Sequence, residues 1–238
     1  MPTRDWAQDG DEAMSYTTRT VPRLLMRVWD APTRLFHWGI VLLVAFSYIC
    51  AEWGWVQLHF LSGYTILALL LFRLAWGFVG SETSRFKNFL RGPIEGLRHL
   101  ATLGKREPDT EIGHNAAGGW MVLAMLAALL FQAGTGLFSN NDIDAQGPLA
   151  KHVGKATSDW LTGWHHRSWW IVLTLVGLHI VAILAYAGVK RHDLVRPMVT
   201  GKKRLPANMR QPRFASPALA ALIVAISAGL VWAVVRFS

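Results

Sequence analysis

Five stretches of this 238-residue sequence carry no charged side chain: residues 35–51, 55–72, 120–138, 168–189 and 214–235. A bilayer core demands roughly 20 apolar residues in a helix, with a range of about 17 to 25. With their flanks, all five runs qualify, and transmembrane helices are expected at about 35–53, 55–79, 119–138, 164–189 and 215–235. Soluble core helices do not come in five such runs in a chain this short. The composition agrees: 52% of residues are hydrophobic and only 16% charged, against about 25% charged in an average globular domain. The expected fold is an all-α membrane protein: a four-helix transmembrane bundle plus a fifth, C-terminal transmembrane helix. Residues 1–34 include Asp5, Asp9, Asp11, Glu12 and Asp30 and no apolar run, so they do not read as a signal peptide.

The net charge of +9 first points to nucleic acid, but its distribution follows topology instead. Basic residues cluster before the first span, between the second and third, and between the fourth and fifth. Twenty of the 24 Lys and Arg and eleven of the 15 Asp and Glu fall on that side, with four and four on the other. By the positive-inside rule the N-terminus is cytoplasmic and the C-terminus external. No nucleic-acid partner is expected; membrane lipid is. Three regions follow: a cytoplasmic tail at 1–26, a four-span domain at 27–204, and a linker with the fifth span at 205–238. Within the domain, apolar residues from Phe86 to Leu100 recur at helical spacing among basic ones. Residues 84–103 therefore read as an amphipathic helix on the cytoplasmic membrane surface. Trp53, Trp55, Trp120, Trp164, Trp169 and Trp170 lie near span ends and read as interfacial anchors.

Cys50 is the only cysteine, which excludes iron–sulfur clusters, zinc ribbons and covalent CxxCH haem. Nine histidines are present, and His37, His59, His165, His166 and His179 lie in or beside spans. Ionisable groups at membrane depth are costly and usually functional, although an interhelical hydrogen-bonded histidine is the plain alternative. His165 and His179 are 14 residues apart, about 40° short of four full turns and about 21 Å along the axis. They share a face, and His166 lies about 140° from that of His179. Depth pairs His59 with His165 near the outer surface and His37 with His179 near the cytoplasm. Two bis-histidine sites suit two non-covalent b-type haems with no open iron position, which favours electron transfer. Gly39, Gly63 and Gly177 allow close approach of a flat macrocycle, or serve ordinary small-residue helix packing. Arg73, at the level of the cytoplasmic site, and Arg34, one turn before His37, are candidate propionate partners; interfacial snorkelling is the alternative for each.

The sequence resembles the bacterial cytochrome b561 / nickel-iron hydrogenase b-type cytochrome subunit family, with the formate dehydrogenase cytochrome b subunit as a relative. The matching stretches are RLFHW at 34–38, LHFLSGYTILALLLFRLAWGFVG at 58–80, SRFKNFLRGP at 84–93, GHNAAGGWM at 113–121, and residues 178–204. The resemblance implies a four-helix bundle with two haems b, ligated by His37, His59, His165 and His179. It implies electron transfer across the bacterial inner membrane between a periplasmic redox partner and the quinone pool. That partner would be a c-type cytochrome or a dehydrogenase or hydrogenase subunit. The quinone is placed near the His37–His179 pair, with residues 190–198 close by. The outer loop at 139–164, carrying Asp142, Asp144 and Asp159, is the expected docking surface. Two features depart from the family: His166 stands where relatives often have an acidic residue, and the fifth span is additional. It is expected to pack peripherally or against a partner subunit. A superoxide:quinone oxidoreductase is a second reading. A transporter or anchor without haem is a third, and it predicts colourless protein.

Overall fold

The computed structural model describes residues 21–238 except 103, 107 and 144. The five apolar runs are helices: α1 (Ala31–Glu52), α2 (Val56–Val79), α5 (Ala116–Gly136), α6 (Lys155–Ala185) and α8 (Pro217–Phe237). All five are long and apolar enough to cross a membrane, so the protein is a multi-pass membrane protein. Three short helices lie between them: α3 (Phe86–Phe89), α4 (Pro93–Ala101) and α7 (Val195–Thr200). Strands β1 (Arg23–Arg27) and β2 (Lys202–Pro206) pair antiparallel, with Arg23 opposite Pro206 and Arg27 opposite Lys202.

Local chemistry fixes the helix starts. Asp30 caps α1 by accepting from the Thr33 amide at 2.7 Å, with Pro32 in the first turn. Asn115 caps α5 through the Gly118 amide, also at 2.7 Å. Ser216 caps α8, with proline next. Each side-chain oxygen satisfies an amide that has no carbonyl partner within its helix, and proline at the first position loses nothing.

α1 packs on α2, α2 on α5, and α5 on α6, while α8 lies against the far side of α2. α6 makes little close backbone contact with α1 or α2. The main core is Ile40, Ile66, Leu70, Leu126, Leu129 and Val172. Val172 is 2% exposed and stands seven residues from both His165 and His179, so this core fills the level between them. A second cluster joins Phe72 and Trp76 of α2 to Ala220 of α8. The fifth span therefore packs peripherally, on the bundle itself. A third, of Val28, Trp29 and Leu205, seats the strand pair beneath the helices. Two strands alone are marginal in water, so this anchoring is what holds them.

Three expectations need correction. The segment at 84–103 is not one surface helix. A 3₁₀ turn (Glu82–Ser84), α3 and α4 replace it, interrupted at 90–92, because Pro93 drives the residue before it out of helical conformation. Phe89 is buried there, while Ile94, Leu97 and Leu100 of α4 stay exposed. The fourth helix begins at Lys155 rather than about 164. Its 31 residues span about 46 Å, more than the roughly 30 Å hydrocarbon core, and its first ten residues make up the last part of the expected outer loop at 139–164. The tail boundary at 26 falls inside β1, whose partner β2 crosses the boundary at 204. Residues 1–20 and Asp144 lie outside the described residues.

Candidate functional site

The outer pair is built by α2 and α6. The rings of His59 and His165 have centroids 6.0 Å apart, with planes 85° apart. His59 Nδ1 lies 3.0 Å from the Ser47 carbonyl and 3.1 Å from its hydroxyl. His165 Nδ1 lies 2.9 Å from the Gln132 carbonyl. A carbonyl can only accept, so both Nδ1 atoms carry the proton and each Nε2 keeps its lone pair, that of His165 lying 3.4 Å from the Gln132 side-chain amide nitrogen. The pair borders a cavity of about 440 Å³, walled mainly by apolar side chains of α1, α2, α5 and α6 and also touched by Glu52, Asn140 and His166. This is the size and lining of a cofactor site. Gly63 borders it too, and a Cβ there would meet nothing within 4 Å. A Cβ at Gly136 would lie 2.9 Å from the His165 ring, so this glycine lets α5 approach the imidazole.

The inner pair is built by α1 and α6. The centroids of His37 and His179 are 6.4 Å apart, with planes tilted by 54°. His37 Nδ1 is enclosed and has no hydrogen-bond partner among the described residues. Two axial imidazoles on one metal, each bonded at about 2 Å, leave ring centres about 6 Å apart. Both pairs fit haem iron by this test, and each is formed across the gap between α6 and the first two helices.

Arg73 of α2 is 2% exposed, and its Nη1 has no partner among the described residues. Its guanidinium lies 5.2 Å from the centre of the Phe86 ring. Its neighbour Asp30 is already occupied, by the Thr33 amide at 2.7 Å and the Trp76 indole at 3.1 Å. A buried guanidinium with an unused donor suits an acidic group of a bound cofactor. Arg34 donates through Nη1 to the Val199 carbonyl while its Nε is enclosed without a partner among the described residues, and Trp38 donates to the Met198 carbonyl at 3.3 Å. Together they fasten α1 to the end of α7. Gly177 faces open space, with nothing within 4 Å of an added Cβ, and Gly39 meets only Leu69 at 3.6 Å. His166 is exposed, with its ring 6.3 Å from that of His165.

Two features were not assigned from sequence. His114 packs against Trp29 and Phe89, each with ring centroids 4.7 Å away, and its Nδ1 is enclosed without a partner among the described residues. Burial, then the positive charge of Arg73, pulls its pKa down to about 3, so it is neutral at physiological pH. Tyr186, in the π-helical turn that continues α6 (Tyr186–Lys190), holds its hydroxyl 2.7 Å from His99 Nε2 and accepts from Asn115 at 2.9 Å. Histidines just before a span, and a tyrosine at the end of one, were the available signals.

The sequence has known counterparts. It is 25% identical over 222 residues to a probable Ni/Fe-hydrogenase B-type cytochrome subunit of Bradyrhizobium diazoefficiens, covering 78% of this chain and 89% of that one. The corresponding subunit of Rhizobium leguminosarum bv. viciae is 24% identical, covering 80% of this chain and 94% of its own. The probable Ni/Fe-hydrogenase 1 B-type cytochrome subunit of Escherichia coli K12 is 24% identical over 210 residues, covering 73% of this chain and 88% of its own. No solved structure matches. Residues 28–201 match the model of prokaryotic cytochrome b561, a span that holds all four paired histidines: the chain belongs to the prokaryotic cytochrome b561 family, as a membrane b-type cytochrome for electron transport.

Proposed function

We propose that the protein holds two haems b, one between His59 and His165 and one between His37 and His179, and relays electrons across the bacterial inner membrane. Its termini would lie as the charge distribution directs, N-terminus inside. One observation carries this reading: two facing imidazole pairs, 6.0 and 6.4 Å between centroids, set fourteen residues apart on a single helix. Bound haem supplies a one-electron couple, and with two protein ligands per iron no position stays open for oxygen chemistry.

The chain's own residues do the rest. The Ser47 and Gln132 carbonyls orient the outer imidazoles. Ile66, Leu129 and Val172 exclude water between the two levels. Arg73 anchors an acidic edge at the inner level. Arg34 and Trp38 hold the α7 segment against the start of α1, close to where a quinone is expected. The relatives' names point to a hydrogenase as the redox partner. The outer loop that would meet such a partner is closed by the Gly147 amide on the Ser139 carbonyl at 2.7 Å. Lys155 bridges its Asp142 to Asp159.

Membrane vesicles containing the protein test this. Chemically reduced protein should return to the oxidised spectrum when a short-chain quinone is added, and the His179→Ala variant should not. Reoxidation by quinone at the wild-type rate in that variant contradicts the proposed route.

A further inference from the structure

Buried polar atoms without partners collect at one end of the bundle. Among the described residues they are Arg34 Nε, His37 Nδ1, Arg73 Nη1, Thr83 Oγ1 and His114 Nδ1. All lie at the end that holds His37 and His179, and none lies beside His59 and His165. A native fold leaves few such atoms unpaired, because each carries the cost of its lost solvation. Their gathering at one place points to a polar group that they share.

Three of them stand along one wall. The Arg73 guanidinium lies 5.2 Å from the centre of the Phe86 ring. Phe86 is 5.8 Å from Phe89, and Phe89 is 4.7 Å from the His114 imidazole. Trp29 closes the other side of that imidazole, also at 4.7 Å. Gly113 brings Thr83 alongside. Its φ of +94° is one that glycine adopts freely, and a Cβ there would lie 3.5 Å from that of Thr83. The turn that carries Thr83 is fixed to α1 by the Thr33 and Ser84 hydroxyls, 2.6 Å apart. Asp30 leaves these donors unused, since its oxygens accept from the Thr33 amide and the Trp76 indole.

The three groups differ in what they offer. Arg73 gives a fixed positive charge and Thr83 a hydroxyl proton. His114 is neutral at physiological pH, because burial and the charge of Arg73 pull its pKa down to about 3, and so it has one N–H to give. Three donors of which one is cationic suit a carboxylate better than a carbonyl or a cation. We infer that Thr83 and His114 complete, with Arg73, a cradle for one carboxylate of the haem assigned to His37 and His179. His114 is then a binding residue that does not touch the iron. The carboxylate stays ionised and accepts three hydrogen bonds, and no covalent bond forms or breaks. This cradle rests on the two-haem reading.

Haem exchange in the purified full chain tests it. His59→Ala confines haem to the inner site. That chain is loaded with haem b or with its dimethyl ester, which has no carboxylate, and loss to apomyoglobin is followed optically. Thr83→Val and His114→Leu, each added to it, should speed the loss of haem b about tenfold, the worth of one hydrogen bond to a charged group. Neither should change the loss of the ester, and Thr83→Ser should keep the parent rate with haem b. If His114→Leu fails to fold, Thr83→Val against Thr83→Ser decides. Unchanged loss of haem b, or equal acceleration with both porphyrins, overturns the cradle alone. A His59→Ala chain that holds no haem overturns the two-haem reading and the cradle with it.

Discussion

Gly63 and Gly77 lie on the same helix and serve opposite purposes. A Cβ at Gly63 enters open space beside the cavity, whereas one at Gly77 would lie 2.0 Å from the Phe86 ring. Gly63→Leu should therefore leave the bundle folded and lower the haem content of the purified protein. Gly77→Ala should cost about 1–3 kcal/mol through overpacking, read as a lower unfolding temperature in detergent with haem still bound. The pairing of the four histidines was legible in the sequence because helical spacing puts His165 and His179 on one face and depth along the spans selects the partner of each. Arg34 was not, since its partner is the Val199 carbonyl, 165 residues away. His114 was not, since only the folded chain brings Arg73 and two aromatic rings around it.

At the scale of elements, the spans were legible because bilayer thickness sets their length. The ends of elements depend on contacts that a hydropathy pattern does not carry. α6 runs past its apolar stretch because its first turns are held by the outer loop, with Asn140 donating to Ser158 at 2.6 Å and to Asp159 at 3.0 Å. The β1–β2 pair joins segments about 180 residues apart, neither rich in strand formers. The turn before α3 is tied to the lead-in to α8 by Glu82, which accepts from the Arg213 amide at 2.9 Å and pairs with Arg210. That amide bond is the largest cause of the lowered pKa of the Glu82 carboxyl; Arg210 adds to it. The folded value lies below the ordinary 4.5, so the stabilisation is present above that pH and is lost as pH falls through the folded value. Glu82→Gln should cost about 1 kcal/mol at neutral pH, as exposed pairs do. The difference from wild type, measured by thermal unfolding across pH, should close in acid.

For the whole molecule, the basic surplus that first resembled a nucleic-acid footprint makes a testable prediction about orientation. Reporter fusions should find the C-terminus outside and the α4 segment inside; the reverse pattern would exchange the compartments assigned to the two sites. α8 contributes no paired histidine and meets the bundle through Phe72 and Trp76. A chain ending at residue 214 should keep its haem and unfold at a lower temperature. The central claim is that the single long helix α6 presents two independent metal-binding histidines to two different neighbours. The haem-to-protein ratio of the purified protein tests it most directly, in the wild type and in His59→Ala and His37→Ala. Two haems per chain in the wild type and one in each variant are predicted. One haem in the wild type, or loss of the same spectral component in both variants, would contradict it.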